Sequence, residues 1–256
     1  MEEEVNVDDV NQCFPLFGCS SLSSGNRYYL PDRNDYIITY CRQSISKDSI
    51  PLFVDNVWPG SVVLADYLCE TYQDDKLLQN MSSIEIGAGS ALPSLVLSRL
   101  GIRYAVITDY PGENVIENIN ELIDKNNLVV SDSDNIIAKP FIWGSNVSEF
   151  LEKETMNGFD IVLVAECLWK DTYYLHNELV SSIKSLLSDN GVALVSFAHR
   201  PSLTDSHTHT KEHDLHFFTL ANEFGLREEK ILTSNKYKDV LEEEFVEVHL
   251  YALRKK

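Results

Sequence analysis

The chain has 256 residues, 44 % of them hydrophobic, and a formal charge of −19 from 21 basic and 40 acidic side chains. That suits one large domain, or one domain with an extension, with apolar residues enough for a substantial core. So acidic a surface argues against a nucleic-acid groove, whose phosphates it would repel, and no run approaches the roughly 20 apolar residues of a membrane helix.

Residues 1–27 are polar and are expected to lie loose or draped on the surface. Their start, Met1-Glu2-Glu3-Glu4-Val5, lacks the basic and apolar regions of a secretory signal. Five cysteines (Cys13, Cys19, Cys41, Cys69 and Cys167) form no C-x-x-C pair. They point to reduced thiols in the cytosol or nucleus, and the chain is expected to be cytoplasmic. Residues 36–41 are rich in β-formers and 51–58 contain a second short extended run, so a small N-terminal hairpin is expected. Residues 1–50 read as an extension ahead of a domain over 51–256.

From residue 61 the periodicity becomes regular. Val63, Leu64, Tyr67, Leu68 and Tyr72 have the spacing of an amphipathic helix over 61–72. A strand over 84–86 feeds a helix over 92–100, stopped by Gly101. A strand follows to Asp109, then a helix over 113–125, a polar loop over 126–135 and a strand over 136–141. The run 160–165 is almost continuously apolar, as for a strand buried on both faces. A helix over 173–187 is expected to stop at Asn190-Gly191, before a buried strand over 192–198. A helix over 211–224 and two strands, 227–232 and 245–253, close the chain. Alternation on this scale predicts an α/β fold: a doubly wound, Rossmann-like, mostly parallel sheet of seven strands with an antiparallel last strand.

The most informative stretch is Ser83-Ile84-Glu85-Ile86-Gly87-Ala88-Gly89-Ser90-Ala91-Leu92-Pro93. Glycines where a strand hands over to a helix allow a sharp turn and let a ligand approach bare backbone. About twenty residues on, the next strand ends in Asp109, placed to accept both hydroxyls of a ribose. A dinucleotide site favours G-x-G-x-x-G, but Leu92 stands at the third glycine position, and Glu85 ahead of the turn would repel a pyrophosphate. The set suits S-adenosylmethionine instead, which carries a sulfonium, an amine and a ribose diol but no phosphate. Glu85 to Gly89, Asp109, Trp143, Glu166 and His199 all fall at or just past predicted strand ends, which locates one site.

These residues also carry a resemblance. Val57-Trp58-Pro59-Gly60, the glycine loop, Thr108-Asp109-Tyr110-Pro111, Ile142-Trp143-Gly144 and residues 160–169 resemble the seven-strand S-adenosylmethionine-dependent methyltransferases. More narrowly they are similar to the lysine methyltransferase-like family. Thr-Asp-Tyr-Pro, Ala91-Leu92-Pro93 and Ser196-Phe197-Ala198-His199 resemble its branch named nicotinamide N-methyltransferase-like, whose fungal members methylate the N-terminal region of elongation factor 1A. The resemblance implies that Trp58 lies near the methionine end or closes the cofactor pocket and that Glu85, Gly87 and Gly89 line the methionine and ribose. It further implies that Asp109 holds the ribose diol, Tyr110 flanks the adenine, Trp143 packs on it, and Ala165 touches the sulfonium side. The family's usual Asp-x-x-Tyr or Asp-x-x-Phe is here Glu166-Cys167-Leu168-Trp169, with charge and aromatic kept but both larger.

Methyl transfer is an in-line displacement, so the enzyme must align a neutral nitrogen lone pair and exclude water. Glu166 is the candidate to hydrogen-bond and orient the amine, and Trp169 to supply an aromatic wall with a cation–π contact of about 0.5–2 kcal/mol. The polar run holding His207, His209 and His213 lacks partner cysteines and reads as a solvated loop rather than a metal site. His199 reads equally as a substrate contact or a structural histidine, Cys167 as packing, and Glu242-Glu243-Glu244 as a solvated turn. The leading expectation is a monomeric enzyme methylating a lysine or N-terminal amine of a protein, with elongation factor 1A as the first candidate. Two others stay open: N-methylation of a small pyridine such as nicotinamide, and a cofactor-binding fold without turnover.

Overall fold

The structure is a computed structural model that describes residues 26–31, 34–40, 56–74, 76–112, 114–128, 135–151, 155–199, 210–238 and 244–256. The readings of residues 1–25, of 51–55, of the loop centre, of His207 and His209, and of Glu242 and Glu243 lie outside these. So do Cys13, Cys19 and Cys41.

Strands β1 (Asn26–Tyr29) and β2 (Tyr36–Thr39) form an antiparallel hairpin. A hairpin was expected with its second strand after residue 50. Its partner instead precedes residue 36, and residues 56–58 are not strand. The short connection lets neighbouring β-forming runs pair first. Helix α1 (Pro59–Tyr72) starts where Trp58 is extended and Pro59, whose missing N–H costs nothing in a first turn, takes the first helical position. Strand β3 (Ser82–Ile86), helix α2 (Leu92–Leu100), strand β4 (Tyr104–Asp109), helix α3 (Val115–Lys125) and strand β5 (Ile136–Pro140) follow in strict alternation.

Strand β6 (Phe159–Ala165) leads through a 3₁₀ segment, Lys170–Leu175, into helix α4 (His176–Leu186). Strand β7 (Leu187–Ala198) begins directly at the helix end. The expected break at Asn190-Gly191 therefore lies inside a strand. Residues 187–191 form an irregular start, where Leu187 pairs with Phe159 and the register then shifts to pair Ile161 with Val192. A Cβ on Gly191 would sit 2.7 Å from the Phe159 carbonyl oxygen, so the glycine marks close backbone approach rather than a helix stop. Helix α5 (Thr210–Glu223), strand β8 (Leu226–Ser234) and strand β9 (Val248–Lys255) complete the chain.

The seven-stranded sheet has the order β5-β4-β3-β6-β7-β9-β8. β9 inserts antiparallel between β7 and β8, so it alone runs against the others. Ile84, Ile86, Val162 and Val164 point to one face, where they pack with Leu179 and Ile183 of α4 and Phe217 and Ala221 of α5. The alternate residues Ile107, Ile161, Leu163 and Leu194 face α1, α2 and α3, and Tyr28, Leu30 and Ile37 of the hairpin region join that cluster. Each fully buried Phe of the first face, Phe159, Phe197 and Phe217, contributes about 1.5–3 kcal/mol. The sheet grows outward from β3 to β5, then returns to β6 on the other side of β3. The crevice outside the carboxyl ends of β3 and β6 is the topological switch point where such sheets bind ligands.

Candidate active site

Beyond β3 the chain turns through Gly87 at φ +72° and Gly89 at φ +51°, left-handed backbone that glycine adopts without strain. The turn is tied to the neighbouring strand: the Ala88 N–H donates to the Thr108 carbonyl at 3.0 Å, and the Gly89 N–H to Asp109 Oδ2 at 2.6 Å. Asp109 Oδ1 accepts from the Tyr110 N–H at 2.6 Å. A side chain at Gly87 has no room, because a Cβ would lie 2.7 Å from Cys167 Sγ and 3.4 Å from Trp143 Cζ2. The structure thus brings Gly87, Gly89, Asp109, Tyr110 and Trp143, read separately from the sequence, to one place. Cys167 is a buried free thiol whose Sγ lies 3.6 Å from the Ile86 carbonyl oxygen, and burial pushes its pKa up. It packs under the loop, as expected.

Glu85 is fully buried on the α2 side of β3. Its Oε2 accepts the N–H of Ser94, in the first turn of α2, at 3.0 Å. Its Oε1 is buried with no hydrogen-bond partner among the described residues. Burial, aided by the Asp109 charge, raises the Glu85 pKa to about 8 against the opposing Ser94 bonds. Burial likewise lifts Asp109 to about 6, against the pull of the Gly89 and Tyr110 amides. Two acids held this way gain from a ligand that brings positive charge and hydroxyl donors.

Across the switch point, Glu166 follows β6 with φ +55°, a conformation unusual for a residue with a side chain. Its own N–H donates to the Ser196 carbonyl at 2.7 Å, and its carbonyl accepts the Trp169 indole N–H at 2.6 Å. Its carboxylate reaches the N-terminus of α1, where Oε1 accepts the Gly60 N–H at 2.7 Å; Oε2 accepts the Ala198 N–H at a longer 3.4 Å. Trp58 and Trp169, both buried, meet edge to face with ring centroids 4.9 Å apart. Ala165, the last residue of β6, is buried beside them in sequence.

The donor set fits S-adenosylmethionine. The bare cradle at Gly87, the unpartnered oxygen of Glu85 and the spare lone pairs of Asp109 complement a cation joined to a sugar diol, and offer nothing to a pyrophosphate. Comparison with known proteins agrees. The family described as lysine methyltransferase matches residues 43–224. The chain belongs to the lysine methyltransferase family.

It is 32 % identical over 222 residues to the protein N-terminal and lysine N-methyltransferase EFM7 of Candida glabrata, covering 85 % of this chain and 80 % of that one. The EFM7 of Kluyveromyces lactis is 28 % identical over 264 residues, covering 91 % and 93 %. Among solved structures, an O-methyltransferase from Bacillus cereus in complex with SAH superposes with a TM-score of 0.50 at 15 % identity, covering 78 % of this chain and 83 % of that one; the likeness is one of fold. As a member of the lysine methyltransferase family, this chain is an S-adenosylmethionine-dependent N-methyltransferase.

S-adenosylmethionine, when bound, supplies a methyl carbon already activated by its sulfonium. In this lysine methyltransferase the residues that would hold it are Glu85, Gly87, Gly89 and Asp109, with Trp143 against the loop. Across the switch point from that loop stand the Glu166 carboxylate and the Trp58–Trp169 pair. Three partners of Glu166 had no assigned part in the sequence reading: Gly60, Ser196 and Ala198. They stand as far as 106 positions away, and no local pattern connects them.

His199, at the end of β7, holds Asp214 of α5 with Nδ1 2.8 Å from Oδ2, and its ring lies 4.8 Å from that of His249. Of the three histidines near 210, the described His213 lies against the Tyr173 ring at 4.5 Å.

Proposed function

We propose that the enzyme methylates a primary amine of a protein, either a lysine side chain or an N-terminal amine, with elongation factor 1A as its substrate. The observation that carries this reading is the Glu166 carboxylate, held at the end of β6 by the Gly60 amide and flanked by the buried Trp58–Trp169 pair. A carboxylate so placed accepts from the N–H groups of an amine and stabilises the positive nitrogen that forms. The aromatic pair offers a wall to a methylated ammonium. The relatives' names, with their N-terminal and lysine specificity, support the choice of amine. The excess of 40 acidic over 21 basic side chains suits a basic protein partner. The enzyme works as a monomer in the cytoplasm; five cysteines without a C-x-x-C pair support the compartment.

The test is methyl transfer from radiolabelled S-adenosylmethionine to cell lysate and to purified elongation factor 1A. A labelled band at the elongation factor is expected. Label confined to a low-mass product would replace the protein substrate with a small amine such as a pyridine. The pH dependence then separates the two protein amines. An N-terminal amine, with an ordinary pKa of about 7.7–8.0, should reach its plateau rate well below a lysine, at about 10.4. Sedimentation of the purified chain tests the monomer, and imaging of the tagged chain tests its compartment.

A further inference from the structure

We infer that Gly60 is a positioning residue for methyl transfer: its missing Cβ is the space in which the Glu166 carboxylate lies. The inference rests on the reading that Glu166 orients the acceptor amine. A Cβ at Gly60 would stand 2.6 Å from Glu166 Oε1 and 2.8 Å from both Cδ and Cγ, closer than non-bonded carbon atoms come. The contact is with the whole end of the side chain, so rotation of the carboxyl group alone does not relieve it.

Conformation does not require a glycine here. Gly60 is the second residue of α1 and is absent from the positive-φ positions, which include Gly87, Gly89 and Gly101. Alanine is the better helix former at such a site. Glycine is therefore present for room and for its amide. That amide holds Glu166 Oε1 at 2.7 Å, and its carbonyl accepts the Ser196 hydroxyl at 2.9 Å.

The far side of Glu166 is equally fixed. Its backbone is left-handed, its N–H is bound to Ser196 and its carbonyl to the Trp169 indole. Ser196 therefore grips both partners, Gly60 through its hydroxyl and Glu166 through its carbonyl. With backbone pinned at both ends, a group added at residue 60 cannot be absorbed by drift. It must displace the carboxylate. The length of the side chain at 166 and the bareness of residue 60 are a matched pair.

The test is a set of four full-length proteins: wild type, Gly60→Ala, Glu166→Asp and the double variant. Each is assayed for S-adenosylhomocysteine affinity by calorimetry and for kcat and KM with radiolabelled donor. Transfer is counted separately in the protein and low-mass fractions of a lysate. Gly60→Ala is expected to lower kcat about 100-fold, with donor affinity within about threefold of wild type. Glu166→Asp withdraws the carboxylate by one methylene, so the double variant should recover to within about tenfold of Glu166→Asp alone. Wild-type kcat in Gly60→Ala, or a double variant no better than Gly60→Ala, would overturn the pairing. Label in the low-mass fraction alone overturns the protein substrate and leaves the Gly60 comparison readable. No label in either fraction overturns both.

Discussion

The glycine loop after β3 and the turn after β6 lie on adjacent strands, and both carry buried acids, but Glu85 and Glu166 are satisfied in opposite ways. At the loop, Glu85 keeps one oxygen with no partner among the described residues, and burial lifts Glu85 and Asp109 to pKa values of about 8 and about 6. After β6, Glu166 has backbone amides on both oxygens and its own backbone bound on both sides. The first region leaves one oxygen of Glu85 that the described residues do not satisfy. The second is completed by the chain itself, and so it presents a fixed carboxylate before any substrate arrives. Under the proposed function, preorganisation falls where the acceptor is aimed and incompleteness where the donor is held.

The largest effect should come from removing Asp109. Asp109→Ala takes away the acceptor for a ribose diol and frees the Gly89 amide, and S-adenosylhomocysteine affinity by calorimetry should fall about 100-fold or more. Unchanged binding heat would break the assignment of the loop to the donor. On the other side of the comparison, Glu166→Ala should cost turnover about 100-fold while donor affinity moves less than about threefold. Equal turnover would remove Glu166 from the chemistry and leave it a cap on α1.

The contrast also has a pH signature. Glu85 and Asp109 have folded pKa values raised above their unfolded ones, so the folded chain holds protons that the unfolded chain has released. Their contribution is fully present below the unfolded values, near pH 4, and is lost as pH rises through about 6 for Asp109 and about 8 for Glu85. The thermal midpoint of the ligand-free protein should therefore fall across that window, and Glu85→Gln should flatten its upper part. A midpoint that climbs with pH there would contradict the burial argument. S-adenosylmethionine, as a cation, should bind more tightly over the same rise.

The smallest effect is expected at Trp169→Phe. It loses the indole bond to the Glu166 carbonyl but keeps a ring against Trp58. A cost of about 1 kcal/mol, or a midpoint lower by about 2–4 °C, is expected. A larger drop in kcat than in stability would show that this bond also aims the carboxylate.

Much of the fold was legible because strands buried on both faces and helices with one apolar stripe leave different periods in the chain. The bounds of α2 were read without error, and those of β6 within one residue, since Gly101 and Gly158 punctuate them. The errors fell where two elements abut without a loop. Asn190-Gly191 looks like a helix stop, yet Gly191 is there to let β7 pass the Phe159 carbonyl. The partner of residues 36–39 was missed because Asn26 and Arg27 of β1 belong to a stretch that reads as polar and loose. In the site, Gly87, Gly89 and Asp109 were legible because their spacing is set by one local strand–turn–helix–strand unit. Glu166 was found as a residue, but its ties to Gly60 and Ala198 were not.

Local order along the chain was sufficient to specify the alternating elements, the glycine turn and the acid twenty positions beyond it. Those features depend on contacts between neighbours in sequence, and such contacts write periodic patterns. The position of β9 between β7 and β8, the Glu85 oxygen left without a partner among the described residues and the bond from the first turn of α1 to Glu166 depended on assembly of the sheet. They join segments brought together only when both faces of that sheet are covered, and the forces that join them act through space without leaving a period in the sequence.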